Sequence, residues 1–349
     1  MKEDRERKRR TAVLLISGGV LFALFLVSLT FGRYRVPILD VIRILFHKLW
    51  AGVGLDRVLP MTVTWTDAMK KAVIDIRLPR VLMAMLVGCS LSAAGATFQG
   101  VFRNPMASPD ILGASNGAAF GAALAILLGC SSHFITVFAF IGAIITVVLV
   151  FLIAQRAPGQ RTVNLILAGI MVGSLFSAGT SYLKLVADPF NQLPAITYWL
   201  LGSLSGTRLS MLLPAAIPMG VGLVPLLLLR WRLNLLSLGD SEARALGINT
   251  DFLRAVLILC ATLITAAAIS VSGVIGWVGL VIPHLSRKLI GSDNRGLLPC
   301  SMLTGGAFLL LVDDVSRSLL QTEIPIGILT AVIGAPFFVY LLLRKEKTL

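Results

Sequence analysis

The sequence LGDSEARALG at residues 238–247 is a short, charged, helix-prone stretch that lies between two long apolar runs. An α-helix needs about 20 apolar residues to cross the hydrocarbon of a bilayer, so this stretch is too short and too polar to span one. It must lie at a membrane face, where a soluble partner can contact it. The stretch therefore predicts a chain that crosses a membrane on both sides of it.

The residue types within this stretch predict a short helix. Ser237 followed three residues later by Asp240 resembles a capping box, and Gly247 is suited to end the helix. We expect the charged residues to face solvent and the apolar ones to share one side, the former being Asp240, Glu242 and Arg244 and the latter Leu238, Ala245 and Leu246. An ordinary interfacial connector is the alternative.

The composition of the whole chain is that of an all-α polytopic membrane protein. Hydrophobic residues make up 56% and charged residues 14%, whereas about a quarter of the residues in soluble domains are charged. Apolar runs of about 20 residues follow one another, and the alternating ten-residue strands of a barrel are absent. The net charge of +14 comes from basic residues between these runs, which indicates membrane orientation rather than nucleic-acid binding.

The apolar runs predict ten membrane spans with both termini in the cytoplasm. Six of the first ten residues are Lys or Arg, and every short basic loop agrees with this orientation. We expect a basic tail at 1–10, a single transmembrane domain at 11–349 and an external segment at 32–76 that contains an amphipathic helix. The predicted spans are 12–31, 79–102, 112–128, 134–154, 163–183, 209–229, 252–271, one from 274 through Pro283, 298–320 and 328–343.

Small residues recur at intervals of four in the fifth span, at Gly169, Gly173 and Ser177. They form a stripe that serves either close helix packing or the lining of a pore. The apolar piece at 196–206, ITYWLLGSLSG, follows this span on the outer side and is too short to cross the membrane.

No residues in the chain predict enzymatic chemistry. The phosphate-binding pattern GxxxxGK[ST] is absent, so any ATP that drives the protein must bind to another subunit. Residues 113–117 match G-x-S-x-G, but they open an apolar helix instead of a strand-to-helix turn, which favours tight packing over catalysis. The four cysteines have no CxxC or Cys/His spacing, so we expect no metal site and no catalytic residue.

Two adjacent carboxylates, Asp313 and Asp314, lie within the ninth span. A carboxylate inside the membrane costs about 2.5–3.5 kcal/mol and commonly has a function. These residues either couple transport to protons, as in a secondary transporter, or pair with Arg317 near the outer surface. Pairing is favoured.

Four stretches resemble the permease subunits of ABC importers for iron-siderophore, haem and cobalamin, the FecCD-like type II importers. The resemblance covers residues 76–343, and the stretches lie at 77–117, 238–247, 273–287 (GVIGWVGLVIPHLSR) and 323–344. It implies a homodimer of permeases in the inner membrane of a bacterium or archaeon. Two cytoplasmic ATPase subunits, which hold ATP and Mg, and an external binding protein complete the importer, so this chain itself carries no cofactor.

The resemblance also implies roles for particular residues. A coupling helix docks on the ATPase through the stretch at 238–247, and matches the family pattern at Gly239, Glu242, Ala243, Leu246 and Gly247. Arg77, Arg80 and Arg317 meet acidic residues of the binding protein. A metal chelate passes by alternating access along the fifth and tenth spans, with Thr162 and Asn164 as gate candidates and Gly169, Gly173 and Ser177 as path candidates. The doubled acid at 313–314 departs from the single acid expected.

Overall fold

The computed structural model describes residues 2–32, 34–52 and 63–343, which form helices and turns with no β-strand among them. A π-helical turn at Ala72–Arg77 joins α3 to α4, and a 3₁₀ turn at Pro109–Leu112 precedes α5. The α-helices of this part of the chain are α1 (Lys2–Thr30), α2 (Ile38–Gly52), α3 (Asp67–Lys71), α4 (Leu78–Phe102), α5 (Ala114–Leu127), α6 (Ser132–Arg156), α7 (Arg161–Val186), α8 (Gln192–Leu200), α9 (Leu209–Leu238), α10 (Asp240–Ala245), α11 (Thr250–Ser272), α12 (Val278–Ile290), α13 (Asn294–Ser318) and α14 (Ile326–Leu343).

Seven helical stretches in the described residues are long and apolar enough to cross a membrane. They are α1, the continuous helix from α3 to α4, α6, α7, α9, α11 and α13, which match seven of the ten predicted spans. The other three correspond to α5, α12 and α14, with 14, 13 and 18 residues. The all-α polytopic architecture is confirmed.

Two of the short helices begin later than the sequence predicts. We expected spans from 112 and 274, but α5 begins at Ala114 and α12 at Val278. Gly113, with φ +71°, precedes α5, while Gly273 (φ +68°) and Trp277 (φ +70°) bound a non-helical segment before α12. A residue with positive φ does not fit into a right-handed α-helix. The helices α5 and α12 therefore begin only after these residues.

The centre of the molecule is α4, which packs against α12 and α13 through glycines. A Cβ atom added to Gly95 would lie 1.8 Å from the carbonyl oxygen of Gly279. Such close backbone approach is how helices gain van der Waals contact in lipid, where the hydrophobic effect does not drive their association. Likewise, a Cβ on Gly117 would lie 2.4 Å from the carbonyl oxygen of Gly142, which confirms the packing interpretation of the G-x-S-x-G match.

The two short helices predicted outside the spans are present, and their outer location stays a prediction. Helix α2 buries Val41 and Ile44 and exposes Leu39 and Phe46, so the amphipathic helix is confirmed. Helix α8 has nine residues and is too short to span, as predicted. The N-terminal tail is continuous with the first span in α1, the division at residue 10 stays a prediction, and the basic residues 344–347 lie outside the described residues.

Candidate functional site

The short helix α10 lies between α9 and α11 and is delimited by two glycines. Gly239, with φ +135° and ψ +156°, ends α9, and its carbonyl oxygen accepts a hydrogen bond from the N–H of Ala243 at 3.0 Å. Gly247 (φ +78°) ends the helix as predicted, and the next residue, Ile248, donates its N–H to the carbonyl oxygen of Ala243 at 3.1 Å. The conformations that only glycine adopts readily therefore set where α10 begins and ends.

The predicted capping box is wrong. Helix α9 continues to Leu238, and the Ser237 hydroxyl donates to the carbonyl oxygen of Asn234 at 2.5 Å. Ser237 therefore belongs to the last turn of α9, where a serine hydroxyl can bond back to its own helix. Gly239 takes the N-cap position instead.

The side chains of α10 divide differently from the prediction. Ala243 is fully buried, whereas the supposed apolar side is open: Leu238 is 57% and Leu246 is 62% exposed. Glu242 and Arg244 are exposed as expected, and the side chain of Asp240 lies outside the described part. The lever, defined as residues 239–247, therefore offers an exposed leucine beside charged residues, a combination that suits a protein partner.

Polar contacts fix the lever against the start of α11. The Arg244 guanidinium donates to the Asp251 carboxylate at 3.0 Å and to the Thr250 hydroxyl at 3.2 Å. The Asn249 side chain caps α11 by accepting the N–H of Phe252 at 3.0 Å. These contacts orient the lever relative to α11.

A second set of contacts connects the end of α9 to two distant helices. The Asn234 amide donates to Asp293, the N-cap residue of α13, at 2.7 Å. Arg10 of α1 donates to the other Asp293 oxygen at 2.5 Å. Sequence reasoning missed this clamp of Asn234, Asp293 and Arg10, although an Asp directly before an apolar run is a helix-start signal.

The clamp stabilises the charged form of Asp293. Burial alone would raise the pKa of this carboxyl group, but hydrogen bonds from the Arg295 backbone, Asn234 and Arg10, together with the Arg10 charge, outweigh that effect. The pKa of Asp293 is therefore lower than that of an ordinary aspartate.

The two carboxylates of the ninth span are paired with arginines. Arg80 donates to Asp313 at 2.9 Å and to Glu323 at 2.8 Å. Arg317 forms an ion pair with Asp314, and lies 3.8 Å from Asp313. The predicted pairing with Arg317 is confirmed for Asp314, whereas the closest partner of the completely buried Asp313 is Arg80, which the sequence did not predict.

The three arginines predicted to meet a binding protein are mostly buried within this protein. Arg77, Arg80 and Arg317 are 5%, 8% and 9% exposed. Arg77 donates to the backbone carbonyl oxygens of Leu29 and Thr30 at 2.8 and 3.2 Å, so it ties the π-helical turn before α4 to the end of α1. The docking role stays a prediction, and the contacts assign a structural role to all three guanidinium groups.

Two of the path candidates lie at a close helix contact, and their path role stays a prediction. A Cβ on Gly169 would lie 2.3 Å from the carbonyl oxygen of Ile111, and one on Gly173 would lie 2.9 Å from the Asn116 amide nitrogen. Both glycines therefore allow α7 to approach the start of α5. Ser177, in contrast, is exposed.

The gate candidates lie at the first turn of α7. The Asn164 side chain donates to the carbonyl oxygens of Ala157 and Pro158 at 2.9 and 3.2 Å and closes the turn between α6 and α7. Thr162 is half-buried. A gate role for either residue stays a prediction.

Comparison with known proteins identifies the family. A sequence model described as the FecCD transport family matches residues 20–344. The chain belongs to the FecCD transport family. Among its FecCD relatives, a molybdate import system permease protein of Haemophilus influenzae is 40% identical over 321 residues, 92% of each chain. A hemin transport system permease protein of Yersinia pestis is 40% identical over 290 residues, 80% of this chain and 86% of the relative.

A solved structure shows the same architecture. It is described as a metal-chelate type ABC transporter in an inward-facing conformation, and it aligns with a TM-score of 0.84 and 38% identity over 95% of this chain and 99% of that one. The protein is thus an ABC importer permease of the FecCD family, embedded in a membrane by several helices. The relatives carry names for different cargoes.

Proposed function

We propose that this chain forms the membrane path of an importer that moves a metal chelate of the iron-siderophore, haem or cobalamin class into the cytoplasm. Two copies of the chain form the path, and two separate ATPase subunits drive it by alternating access. An external binding protein delivers the cargo to the outer face. The chain lies in the inner membrane of a bacterium or archaeon, with both termini in the cytoplasm.

The observation that carries the proposal is the exposed lever. Leu246 is an exposed apolar side chain directly after α10, the short helix that Gly239 and Gly247 delimit. The lever therefore presents an exposed apolar side chain beside charged side chains, which suits binding in a groove on a soluble subunit. Because the clamp ties the end of α9 to α1 and α13, a push on the lever would reach those helices.

The contacts of Asp313 and Asp314 do not favour the proton-coupled alternative. Each carboxylate is held by an arginine, and Asp313 is also fully buried. These ion pairs hold α13 against α4 and α1, a structural role that requires no transfer of protons, whereas a proton carrier must release and bind protons during each cycle.

Replacement of Glu242 and Leu246 by alanine tests the lever. In proteoliposomes that contain the permease, its ATPase and its binding protein, we expect uptake to fall about tenfold, since docking loses an anchor residue, while ATP hydrolysis continues. Leu228→Ala on α9, which also removes a highly exposed leucine, is the matched control. Uptake at the wild-type level in the double variant would reject the docking role.

A further inference from the structure

A polar groove runs between the start of α5 and the middle of α7. It encloses about 410 Å³, and the residues that give it its character are Asp110, Gly113, Asn116, Gly169 and Ser177. None of the sequence motifs singled out Asp110. Two of its lining residues, Gly113 and Gly169, have no side chains.

The groove contains polar groups that can contact a ligand. The Asp110 carboxylate accepts the N–H of Ser115 at 2.9 Å and also has a hydrogen bond with the Ser115 side chain, and a carboxylate has lone pairs for further donors. The Asn116 amide and the Ser177 hydroxyl have no side-chain hydrogen bond to the residues that the structure describes. These three groups provide acceptors and donors for a ligand or for water.

The position of the groove excludes lipid as its occupant. Gly169 and Ser177 lie about 12 and 24 Å along α7 from its first residue, at a rise of 1.5 Å per residue. This depth is within a span of 25 residues, where an ionised carboxylate facing hydrocarbon is strongly disfavoured. The Asp110 side chain is nevertheless exposed, so the groove must open to water or to protein.

We propose that the groove, lined by Asp110, Asn116 and Ser177, is a water-filled site where the cargo binds transiently during transport. The Asp110 carboxylate makes this site cation-selective. It favours binding of a metal chelate with ammonium or N–H donors and disfavours binding of an anionic chelate. This assignment rests on the proposed function, since it places the groove on the import path. Asn116 and Ser177 contribute neutral hydrogen bonds that any chelate can use.

Cysteine labelling tests the groove without knowledge of the cargo. Ser177→Cys is introduced into a permease whose four native cysteines are replaced by alanine, and the complete complex with its ATPase is reconstituted. A cationic trimethylammonium-ethyl methanethiosulfonate and the anionic sulfonatoethyl reagent are compared by their reaction rates, in the presence and absence of ATP. We expect the cation to react faster.

Asp110→Asn then isolates the charge. Asparagine keeps an oxygen that can accept the Ser115 N–H, so the start of α5 retains its contact. Because the two reagents have opposite charges, loss of the carboxylate should lower the cation-to-anion rate ratio about tenfold at low salt, and less at high salt. Asn116→Asp should raise the ratio. A Ser205→Cys control on an exposed turn should keep its ratio in both variants.

Two results would overturn the assignment. One is a Ser177→Cys thiol that reacts with neither reagent in any nucleotide state, and the other is a rate ratio that is indifferent to Asp110→Asn and Asn116→Asp. ATP-dependent uptake is measured in parallel proteoliposomes that contain the permease with its native cysteines. If uptake requires the ATPase but the labelling test fails, only the assignment of the groove is rejected. If labelling is as expected but uptake does not require the ATPase, only the proposed function is rejected.

Discussion

Asn234 near the end of α9 and Asp293 at the start of α13 are joined by a hydrogen bond of 2.7 Å, although 59 residues separate them. The Asn234 oxygen also accepts the backbone N–H of Asn294 at 2.9 Å, so the contact is reciprocal. The Arg10 side chain of α1 donates a hydrogen bond to the same Asp293 carboxylate. The three helices therefore share one polar junction next to the lever.

Asp293→Asn should weaken this junction. The variant loses the charge that Arg10 and Asn234 stabilise, and we expect the free energy of unfolding to fall by about 1 kcal/mol, the value of one partly exposed charged hydrogen bond. Thermal unfolding of the detergent-purified protein measures the change. Asp75→Asn, at an exposed aspartate in the π turn, is the control and should unfold at the wild-type temperature.

The stabilisation by Asp293 should disappear in acid. Its pKa in the folded protein is below the ordinary value of 3.8, so the unfolded chain binds the proton more tightly. The difference in unfolding temperature between wild type and Asp293→Asn should be full at neutral pH, shrink as the pH falls below 3.8 and vanish below the folded-state pKa. A difference that is the same at pH 3 and pH 7 would contradict this origin.

The sequence predicts the long helices well because a membrane imposes a minimum length on each apolar run. The starts of α5 and α12 could not be predicted, since a Trp with positive φ at 277 follows from tertiary packing and not from residue preference. The short helix α10 lies within the predicted stretch, but its N-cap is Gly239 and not Ser237, because Ser237 belongs to the last turn of α9. Asp110 was missed because its groove is formed by glycines that are distant in sequence.

Gly247→Ala should loosen the lever by backbone conformation alone. A Cβ at this position meets no atom within 4 Å, so steric overlap with neighbours is not a factor, but φ is +78°. Alanine is disfavoured by about 1–2 kcal/mol in this region, and we expect uptake per ATP hydrolysed to fall about fivefold. Gly247→Asn should retain most of the uptake, since asparagine tolerates left-handed backbone. Equal losses in the two variants would refute the conformational explanation.

Gly95→Ala should prevent correct assembly of the helices around α4. Its new Cβ would meet the backbone of Gly279 at 1.8 Å, and backbone cannot rotate away as a side chain can. We expect loss of folded protein in membranes, measured by fluorescence-detected size-exclusion chromatography. Gly220→Ala in α9 is the matched control, since its Cβ meets nothing within 4 Å and should leave the yield unchanged.

Arg80→Met distinguishes a structural from a docking role for this arginine. The substitution leaves Asp313, which is fully buried, without its closest cation, and breaking a buried pair in this way costs about 3–5 kcal/mol. We therefore expect a large fall in the unfolding temperature of the permease alone. Adding Asp313→Asn to Arg80→Met should restore much of the loss, because the second change removes the stranded charge. If Arg80→Met unfolds like wild type and only weakens capture of the binding protein, with a dependence on salt, then Arg80 serves docking and its ion pairs contribute little to the fold.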